Sequence, residues 1–363
     1  MSVTLEKNYE QQNTKELSAL EIVRSFTSEP TPLTEVRQDE RGNVFFAKDE
    51  TQNPTGAYKW RGSAVKLSRL FAEETSRVVT ASAGNHGQGI AWVSGKLGTS
   101  AEVFVPHGTP KSKLNGLQRL GAHIHLEGAN FDEATNLALQ FAKDYGNPFV
   151  HPFDDFDVME GQGTIADELY EQMLNNGLYF EDTTIFVPVG GGGLIGGIAH
   201  RIKQLTGGRT QVVGVQVEGS DSAAVTFGSV NNCSLRNYEQ YSRIYNSDYN
   251  LYDFPERIEA QEPNNDVDGT RVKLVGQKCI KQIVVDVDEF LVVSPKLLGE
   301  YYLKNPRTQL EPAGALAQVG SEVYAKLPGF SLRNFIAVNS GRNQDPQRIQ
   351  NLVNSASTSL AYS

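Results

Sequence analysis

The sequence is poor in cysteine, in positive charge and in long apolar runs, and each shortage excludes a class of protein. Only two cysteines occur among 363 residues, Cys233 and Cys279, without a paired spacing or a nearby histidine pattern, which argues against a disulfide framework and a zinc site. The formal net charge of −10 disfavours nucleic acid and anionic membranes as partners, because both favour clustered Lys and Arg. No segment has the roughly 18 consecutive apolar residues of a membrane helix, and the N-terminus lacks the apolar core of a signal peptide. We therefore expect a cytoplasmic protein.

Apolar residues make up 39% of the chain, which is enough for a substantial core. Short apolar runs bounded by glycine alternate with helical patterns, as is typical of parallel strands joined by crossover helices. The patterns predict strands at 78–81, 101–106, 122–126, 184–189, 212–217, 283–290 and 335–339, and helices at 88–97, 111–120, 130–145, 164–174 and 194–205. Ser294 and Pro295 indicate one further helix start. The sequence therefore predicts an α/β fold with open, parallel-rich sheets flanked by helices.

The stretch 231–266 carries five tyrosines without a regular period. It is a long surface loop in one interpretation and a lid over a site in the other, since long loops often serve as lids. The sequence leaves both open.

Four consecutive glycines at 190–193 stand between a predicted strand and a predicted helix. Such a run exposes backbone N–H groups, and the helix start adds partial positive charge, which suits a phosphate. A tight turn is the alternative, although four glycines lose more conformational entropy than a turn requires. Leu194 and Ile195 follow where a P-loop has Lys and Ser/Thr, whereas Glu218 keeps nucleotide binding as a lesser alternative.

Lys59 lies in the segment Asn-Pro-Thr-Gly-Ala-Tyr-Lys-Trp-Arg-Gly, which begins at Asn53 and precedes an amphipathic pattern. A lone lysine at such a place is ordinarily a solvated surface charge. A lysine that forms an imine with an aldehyde must instead be a free amine, which requires burial or a nearby positive charge. The flanking Tyr58, Trp60 and Arg61 make this environment plausible for Lys59.

A third loop, Ser82-Ala-Gly-Asn-His86, follows a predicted strand and opens the next helix. Ligands collect at such strand ends in open α/β sheets, so we expect this loop to hold an anionic group. His86 is a candidate base, but the backbone geometry of the loop is the better-supported source of its function. Ser340 follows the last predicted strand in the run Ser-Gly-Arg-Asn.

Together and in this order, the four motifs resemble the fold-type II pyridoxal-phosphate enzymes, and within them the serine/threonine dehydratases, also called threonine ammonia-lyases. Three further segments fit the same order: Gly128-Ala-Asn-Phe-Asp-Glu-Ala, Pro152-Phe-Asp-Asp leading to Gly161-Gln-Gly-Thr, and Glu311-Pro-Ala-Gly-Ala. The resemblance covers residues 33–343. It implies the two-lobed fold of the tryptophan synthase β type, with a large cofactor-binding domain at 1–62 and 151–363 and a small substrate-loop domain at 63–150. It also implies a homodimer, and a chain of this length is expected to lack the regulatory domain of many biosynthetic relatives.

The resemblance assigns to Lys59 the Schiff base with pyridoxal phosphate and the later movement of the substrate Cα proton. It also implies that Asn85 bonds the 3′ oxygen of the cofactor and that Ser340 faces the pyridine nitrogen, where a neutral hydroxyl favours elimination over transamination. The implied cofactor contacts are Tyr58, Lys59, Asn85, Gly190, Gly191, Gly192, Gly193, Leu194, Gly269, Glu311 and Ser340, and the implied substrate contacts are Ser82, Ala83, Gly84, Asn85 and His86.

Three departures from the family pattern refine the expectation. Ala83 stands where related racemases carry a second serine, which argues against racemisation. Ala224 stands where relatives with a divalent-metal site carry an acidic residue, so no metal site is expected. Arg342 replaces a small residue and is expected to alter substrate or cofactor contacts.

The expected activity is the elimination of water and ammonia from a small β-hydroxy amino acid, which converts L-threonine to 2-oxobutyrate or L-serine to pyruvate. Pyridoxal-phosphate-dependent β-replacement is the first alternative, and a non-catalytic amino-acid- or nucleotide-binding protein is the second. The sequence does not choose between threonine and serine, because no motif identifies the side-chain pocket.

Overall fold

A computed structural model describes residues 17–230, 236–238, 242–246, 256–260 and 263–360. The strands are β1 (Leu33–Gln38), β2 (Val44–Asp49), β3 (Arg77–Ala81), β4 (Ser100–Val105), β5 (His123–Leu126), β6 (Thr183–Pro188), β7 (Gln211–Val217), β8 (Arg236–Tyr238), β9 (Ser242–Asn246), β10 (Glu289–Val293) and β11 (Asn334–Asn339). The helices are α1 (Ala19–Phe26), α2 (Trp60–Ala72), α3 (Asn85–Leu97), α4 (Lys111–Arg119), α5 (Phe131–Asp144), α6 (Phe156–Asn175), α7 (Gly193–Thr206), α8 (Ser222–Val230), α9 (Gln277–Asp286), α10 (Pro295–Lys304), α11 (Pro312–Tyr324) and α12 (Pro346–Leu360). Among these helices, none is long and apolar enough to cross a bilayer.

The chain divides into two compact units. The first unit holds the described residues up to Pro30 together with Tyr58–Thr164, and the second holds Thr31–Ala57 and the described residues from Ile165 onward. The first unit is built on a parallel sheet in the order β3-β4-β5, and Phe149 adds an isolated parallel bridge to Val79. Trp60, Ile90 and Val103 belong to the buried core that α2 and α3 form against this sheet.

The first unit has wider bounds than the expected small domain at 63–150. Helix α6 begins at Phe156 rather than at residue 164, because Asp155 Oδ1 accepts hydrogen bonds from the N–H groups of Asp157 (2.9 Å) and Val158 (3.2 Å). Gly161, within this helix, allows close helix packing, since a Cβ atom there would lie 2.6 Å from Arg61 O. This packing joins the N-terminal half of α6 to α2, so residues 58–62 and 151–164 belong with 63–150. The functional division into a cofactor and a substrate domain stays a prediction.

The second unit is built on an eight-stranded sheet in the order β1-β2-β11-β6-β7-β10-β9-β8. Strands β2, β11, β6, β7 and β10 are mutually parallel, and β1, β9 and β8 add antiparallel edges. Phe186, Val215 and Phe335 pack with Leu316 of α11 in the core on one face. Because the central strands are parallel, the loops that follow them lie at one edge of the sheet.

The predicted strand at 283–290 is wrong. Residues up to Asp286 belong to α9, and the strand β10 begins only at Glu289. Ile280, Ile283 and Val284 are buried at helical spacing, so the packing of one helix face overrides the β propensity of the Ile-Val-Val run. Except for the start of α6, the other predicted elements are confirmed with ends shifted by a few residues.

The tyrosine-rich stretch is partly regular. Strand β9 pairs with β10, and β8 pairs with β9, so residues 236–238 and 242–246 extend the sheet. Residues 231–235, 239–241, 247–255 and 261–262 lie outside the described residues, and the choice between a surface loop and a lid falls largely on them.

Candidate functional site

The glycine loop connects β6 to α7 in the second unit. Gly192 is the N-cap of α7 with a φ of +96°, and no side chain caps this helix. The first N–H groups of a helix have no partner within it, and residues 191–194 are buried. The helix start therefore presents buried backbone donors and the positive end of a helix dipole, which together suit an anion.

Close packing surrounds this loop. A Cβ atom on Gly190 would lie 3.0 Å from Thr270 Cα and 3.2 Å from Gly269 O, and one on Gly192 would lie 2.8 Å from the Cβ of Cys279. Gly276 N–H donates to Gly191 O at 3.0 Å. The structure thus places Gly269, which the resemblance had named, directly against the glycine loop.

Ser340 follows β11 and is buried. Because β11 is the parallel neighbour of β6, Ser340 and the glycine loop follow adjacent strands at the same edge of the sheet. Glu311, also buried, lies beside this loop, since a Cβ atom on Gly341 would be 2.5 Å from its Oε1 atom. All the predicted cofactor contacts of the second unit therefore lie along one strand edge or against the loops that leave it.

Arg342 has an exposed side chain. Its N–H donates to Gly56 O at 2.9 Å, and Asn343 Nδ2 donates to Thr55 O at 3.0 Å. Arg342, which departs from the family pattern, and Asn343 therefore hold the segment that ends at Ala57 through hydrogen bonds to its carbonyls.

Lys59 and Tyr58 belong to the first unit, where Lys59 is the N-cap of α2. Lys59 is half-buried, its Nζ donates to Pro152 O at 2.8 Å, and Nζ lies 5.3 Å from the centre of the Tyr58 ring. Lys59 is therefore not a solvated surface lysine. The neighbouring Arg61 is buried and donates from Nη1 to Thr164 Oγ1 at 3.3 Å.

The loop from Ser82 to Asn85 opens α3 in the same unit. Gly84 is the N-cap, no side chain caps the helix, and a Cβ atom on Gly84 would meet nothing within 4 Å. Ser82, Ala83 and Asn85 are half-buried. The loop therefore offers a second uncapped helix start, with open space beside it.

His86 is the second residue of α3, and its side chain is fully buried. Its Nε2 lies 3.2 Å from Val150 O, and because a carbonyl only accepts, Nε2 must carry the hydrogen. Burial, and next the charge of Lys59, lower the pKa of His86 from 6.5 to about 3. His86 is therefore a neutral imidazole at physiological pH, and its Nδ1 is buried without a hydrogen-bond partner in the described part of the chain.

The backbone acceptors of this unit were not among the residues predicted from the sequence. The carbonyl of Val150 receives His86 and the carbonyl of Pro152 receives Lys59, yet Pro152 had entered only as part of a family segment. His151 Nδ1 closes the turn that contains Pro152 by accepting from the N–H groups of Phe153 (3.3 Å) and Asp154 (2.9 Å). Carbonyl oxygens occur in every residue, so no residue type could have indicated them.

A family model described as "Pyridoxal-phosphate dependent enzyme" matches residues 25–248. The chain belongs to this family. A catabolic L-threonine dehydratase of Staphylococcus aureus is 33% identical over 321 residues, which cover 86% of this chain and 82% of that protein. The chain is thus a pyridoxal-phosphate enzyme of the threonine dehydratase family.

Other relatives of this pyridoxal-phosphate enzyme are longer. A biosynthetic L-threonine dehydratase of Burkholderia multivorans is 32% identical over 90% of this chain, and a threonine dehydratase of Nicotiana attenuata is 32% identical over 87%. The chain covers 59% and 48% of these two relatives. The processed form of threonine deaminase isoform 2 from Solanum lycopersicum has a similar structure, with a TM-score of 0.77, 28% identity and coverage of 94% of this chain and 88% of that one. The predicted α/β fold of fold-type II is therefore confirmed.

Pyridoxal phosphate is the cofactor of this family, and the residues present fit it. The buried, uncapped start of α7 suits its phosphate, and the glycines at 190 and 192 stand where a Cβ atom would collide with neighbouring atoms. The family resemblance predicts that Lys59 supplies an amine and that Ser340 supplies a neutral hydroxyl for the pyridine nitrogen. The role of each residue stays a prediction of the family resemblance.

Proposed function

We propose that this protein eliminates water and ammonia from a small β-hydroxy amino acid, with L-threonine giving 2-oxobutyrate as the first candidate and L-serine giving pyruvate as the second. The observation that carries the proposal is Ser340, a neutral hydroxyl buried at the end of β11, on the strand next to the glycine loop. Such a partner leaves a pyridine nitrogen largely unprotonated, which favours elimination over transamination. The names of the relatives support the same activity.

In this proposal, the two uncapped helix starts divide the anionic groups between them. The N–H groups at the start of α7 hold the cofactor phosphate, and those at the start of α3, with the Ser82 hydroxyl, hold the substrate carboxylate. Asn85 bonds the cofactor's 3′ oxygen. Pyridoxal phosphate, when bound, withdraws electrons from the substrate Cα and makes its proton acidic.

Lys59 moves that proton. Its free amine accepts the Cα proton and becomes an ammonium, and the Pro152 carbonyl, which accepts a hydrogen bond from Nζ, stabilises the ammonium. The β-hydroxyl takes up a proton and departs as water, which balances the proton that Lys59 took from Cα, and hydrolysis of the released enamine yields the 2-oxo acid and ammonia. We also propose a cytoplasmic homodimer that acts on a free amino acid, with the cofactor bound mainly by residues 1–62 and 151–363 and the substrate carboxylate by 63–150.

The test combines a spectrum with a product assay. Purified protein should show the visible absorbance of bound pyridoxal phosphate and release 2-oxobutyrate from L-threonine or pyruvate from L-serine. Lys59→Ala should lower turnover by more than ~10³-fold, because a positioned acid/base contributes about 10²- to 10⁴-fold and the covalent attachment is lost as well. Lys96→Ala, at an exposed lysine, is the matched control.

Two outcomes would contradict the proposal. Unchanged turnover by Lys59→Ala would remove Lys59 from the chemistry. Bound cofactor without a 2-oxo acid, but with a new amino acid in the presence of an added thiol, would establish β-replacement instead.

A further inference from the structure

The buried imidazole of His86 has two nitrogens in different situations. Nε2–H donates to Val150 O at 3.2 Å, whereas Nδ1 is buried without a partner among the described residues. A side chain that served only to fill space would be apolar, because a buried unpaired acceptor destabilises a fold by about 1–3 kcal/mol. The hydrogen bond of Nε2 is therefore the feature that a histidine supplies here and a hydrophobic residue could not.

The acceptor of that bond is held firmly. Val150 O also accepts from Thr80 Oγ1 at 3.0 Å, and Val150 N–H donates to Val79 O at 2.8 Å. Thr80 and Val79 belong to β3, and His86 belongs to the first turn of α3. The Val150 peptide is thus fixed to the strand and the helix on either side of the Ser82 loop.

The chain after Val150 leads directly to Lys59. Pro152, two residues on, accepts the hydrogen bond from Lys59 Nζ at 2.8 Å. Pro152 itself lies in a turn over residues 151–154, which the N–H groups of Phe153 and Asp154 close by donating to His151 Nδ1. A shift of the Val150 carbonyl would therefore move the Pro152 carbonyl and, with it, the lysine amine.

We propose that His86 is a positioning residue for Lys59, which acts by holding the 150–152 backbone through its Nε2–H bond to Val150 O. This inference rests on the proposed role of Lys59 and assigns the His86 side chain a task other than contact with the substrate. A neutral donor suits the place, because it fixes the backbone without adding a second cation beside Lys59.

Two substitutions separate the two nitrogens. In His86→Gln the side-chain amide can reach the position of Nε2 and keep a donor to Val150 O, while the acceptor at the position of Nδ1 is lost. In His86→Asn the shorter amide can reach only the position of Nδ1, so the bond to Val150 O is lost. The measurement is the rate at which apoprotein and pyridoxal phosphate develop visible absorbance, with the attachment site identified by borohydride reduction and peptide mapping.

The proposal predicts that His86→Gln attaches the cofactor within about 3-fold of the wild-type rate and that His86→Asn is slowed by ~10- to 100-fold, since misplacement of a reacting group by about 1 Å can lower a rate 10²-fold. Thr80→Val removes the second donor to the same carbonyl at nearly constant volume and should slow attachment by ~2- to 5-fold, as expected for one neutral hydrogen bond. If His86→Asn does not fold, slower attachment in Thr80→Val still tests whether the Val150 carbonyl must be held in place.

Three results would overturn the proposal. Wild-type attachment rates in all three variants would show that the hydrogen bond to Val150 O does not affect cofactor attachment. Slower attachment in His86→Gln alone would identify Nδ1 as the functional atom. Equal slowing in Gln and Asn, with Thr80→Val unaffected, would indicate packing only. Cofactor attachment needs no amino-acid substrate, so these results do not depend on whether threonine or serine is turned over.

Discussion

The two compact units secure their candidate site residues by different means. In the second unit the loops are held by close packing, and Gly190, Gly192 and Gly341 all stand where a Cβ atom would meet a neighbour within 3.0 Å. In the first unit Gly87 is also close-packed, against Ser82 O, but Gly84 has open space around it, and the side chains of His86 and Lys59 are held by hydrogen bonds to carbonyls. A close-packed position tolerates almost no added side-chain volume. The loss of one hydrogen bond, by contrast, lowers the free energy of unfolding by only about 1 kcal/mol.

The same contrast appears at the two uncapped helix starts. The donors at the start of α7 are buried, while Ser82 to Asn85 before α3 are half-buried. A buried, tightly packed anion site suits a group that stays bound, and a more open one suits a group that enters and leaves in each cycle. The comparison therefore favours the cofactor phosphate at α7 and the substrate carboxylate at α3.

The largest effect is expected at Gly192. Gly192→Ala must force a Cβ atom into Cys279 and Ile283 and also places a side chain at a φ of +96°. We expect it to lower the free energy of unfolding by ~2–4 kcal/mol, from strain of about 1–2 kcal/mol plus overpacking, and to weaken cofactor binding at least 10-fold. Chemical denaturation and cofactor titration measure the two effects.

Gly207→Ala is the matched control for this prediction. Gly207 caps the other end of α7 with a φ of +62° and has nothing within 4 Å of an added Cβ atom. It should show only the strain of about 1–2 kcal/mol and no change in cofactor affinity. Equal losses of stability and of cofactor affinity in the two variants would mean that close packing does not make Gly192 more sensitive to substitution than Gly207.

A second prediction concerns the pH dependence of stability in the first unit. The pKa of His86 is lowered to about 3 in the folded state from 6.5, so between these values the unfolded chain binds a proton that the folded chain does not. Well above pH 6.5 His86 is neutral in both states and does not change the free energy of unfolding. As the pH falls from 6.5 toward 3, proton uptake by the unfolded chain lowers the free energy of unfolding progressively. At pH 5 the loss is about 2 kcal/mol relative to pH 7.5.

Comparing wild-type protein with His86→Gln by denaturation at pH 7.5 and pH 5 isolates this contribution. The wild type should lose about 2 kcal/mol more than the variant between the two values, because glutamine does not titrate. The same loss in both proteins would mean that His86 takes up a proton in the folded state, and the fixed Nε2 donor would then not be a neutral imidazole.

The position of the glycine loop between a strand and a helix was the local structure that the sequence predicted best. A run such as 190–193 is recognisable because only glycine satisfies a positive φ and a close backbone contact at once, and Gly192 meets both demands. The strand preceding the loop and the helix after it followed from apolar periodicity. By contrast, the β-branched run near residue 284 indicated a strand, because propensity cannot register that Ile280 and Ile283 bury a helix face.

The contacts of the first unit were harder to predict, since they join side chains to carbonyls distant in sequence. His86 and Val150 are 64 residues apart, and Lys59 and Pro152 are 93 apart. The Val150 carbonyl is held by β3 and the Pro152 carbonyl precedes α6, so neither acceptor could be placed before the fold of the unit was known. The sequence therefore named His86 and Lys59 as candidates, while their carbonyl acceptors required the structure.

The smallest expected effect is at the ion pairs between α2 and α6. Arg69 Nη1 lies 2.5 Å from Asp157 and 2.7 Å from Glu160, and hydrogen bonds to these carboxylates raise the pKa of Arg69. Glu160 is exposed, and Arg69 and Asp157 are half-buried. Arg69→Ala should therefore lower the free energy of unfolding by only about 0.2–1 kcal/mol. The loss should be smaller in 1 M salt, because salt screens exposed charges. A double-mutant cycle with Glu160→Gln measures the pair itself. A coupling energy above ~2 kcal/mol in this cycle that 1 M salt reduces would show that charge pairing, rather than the close packing at Gly161, contributes most to holding α6 against α2.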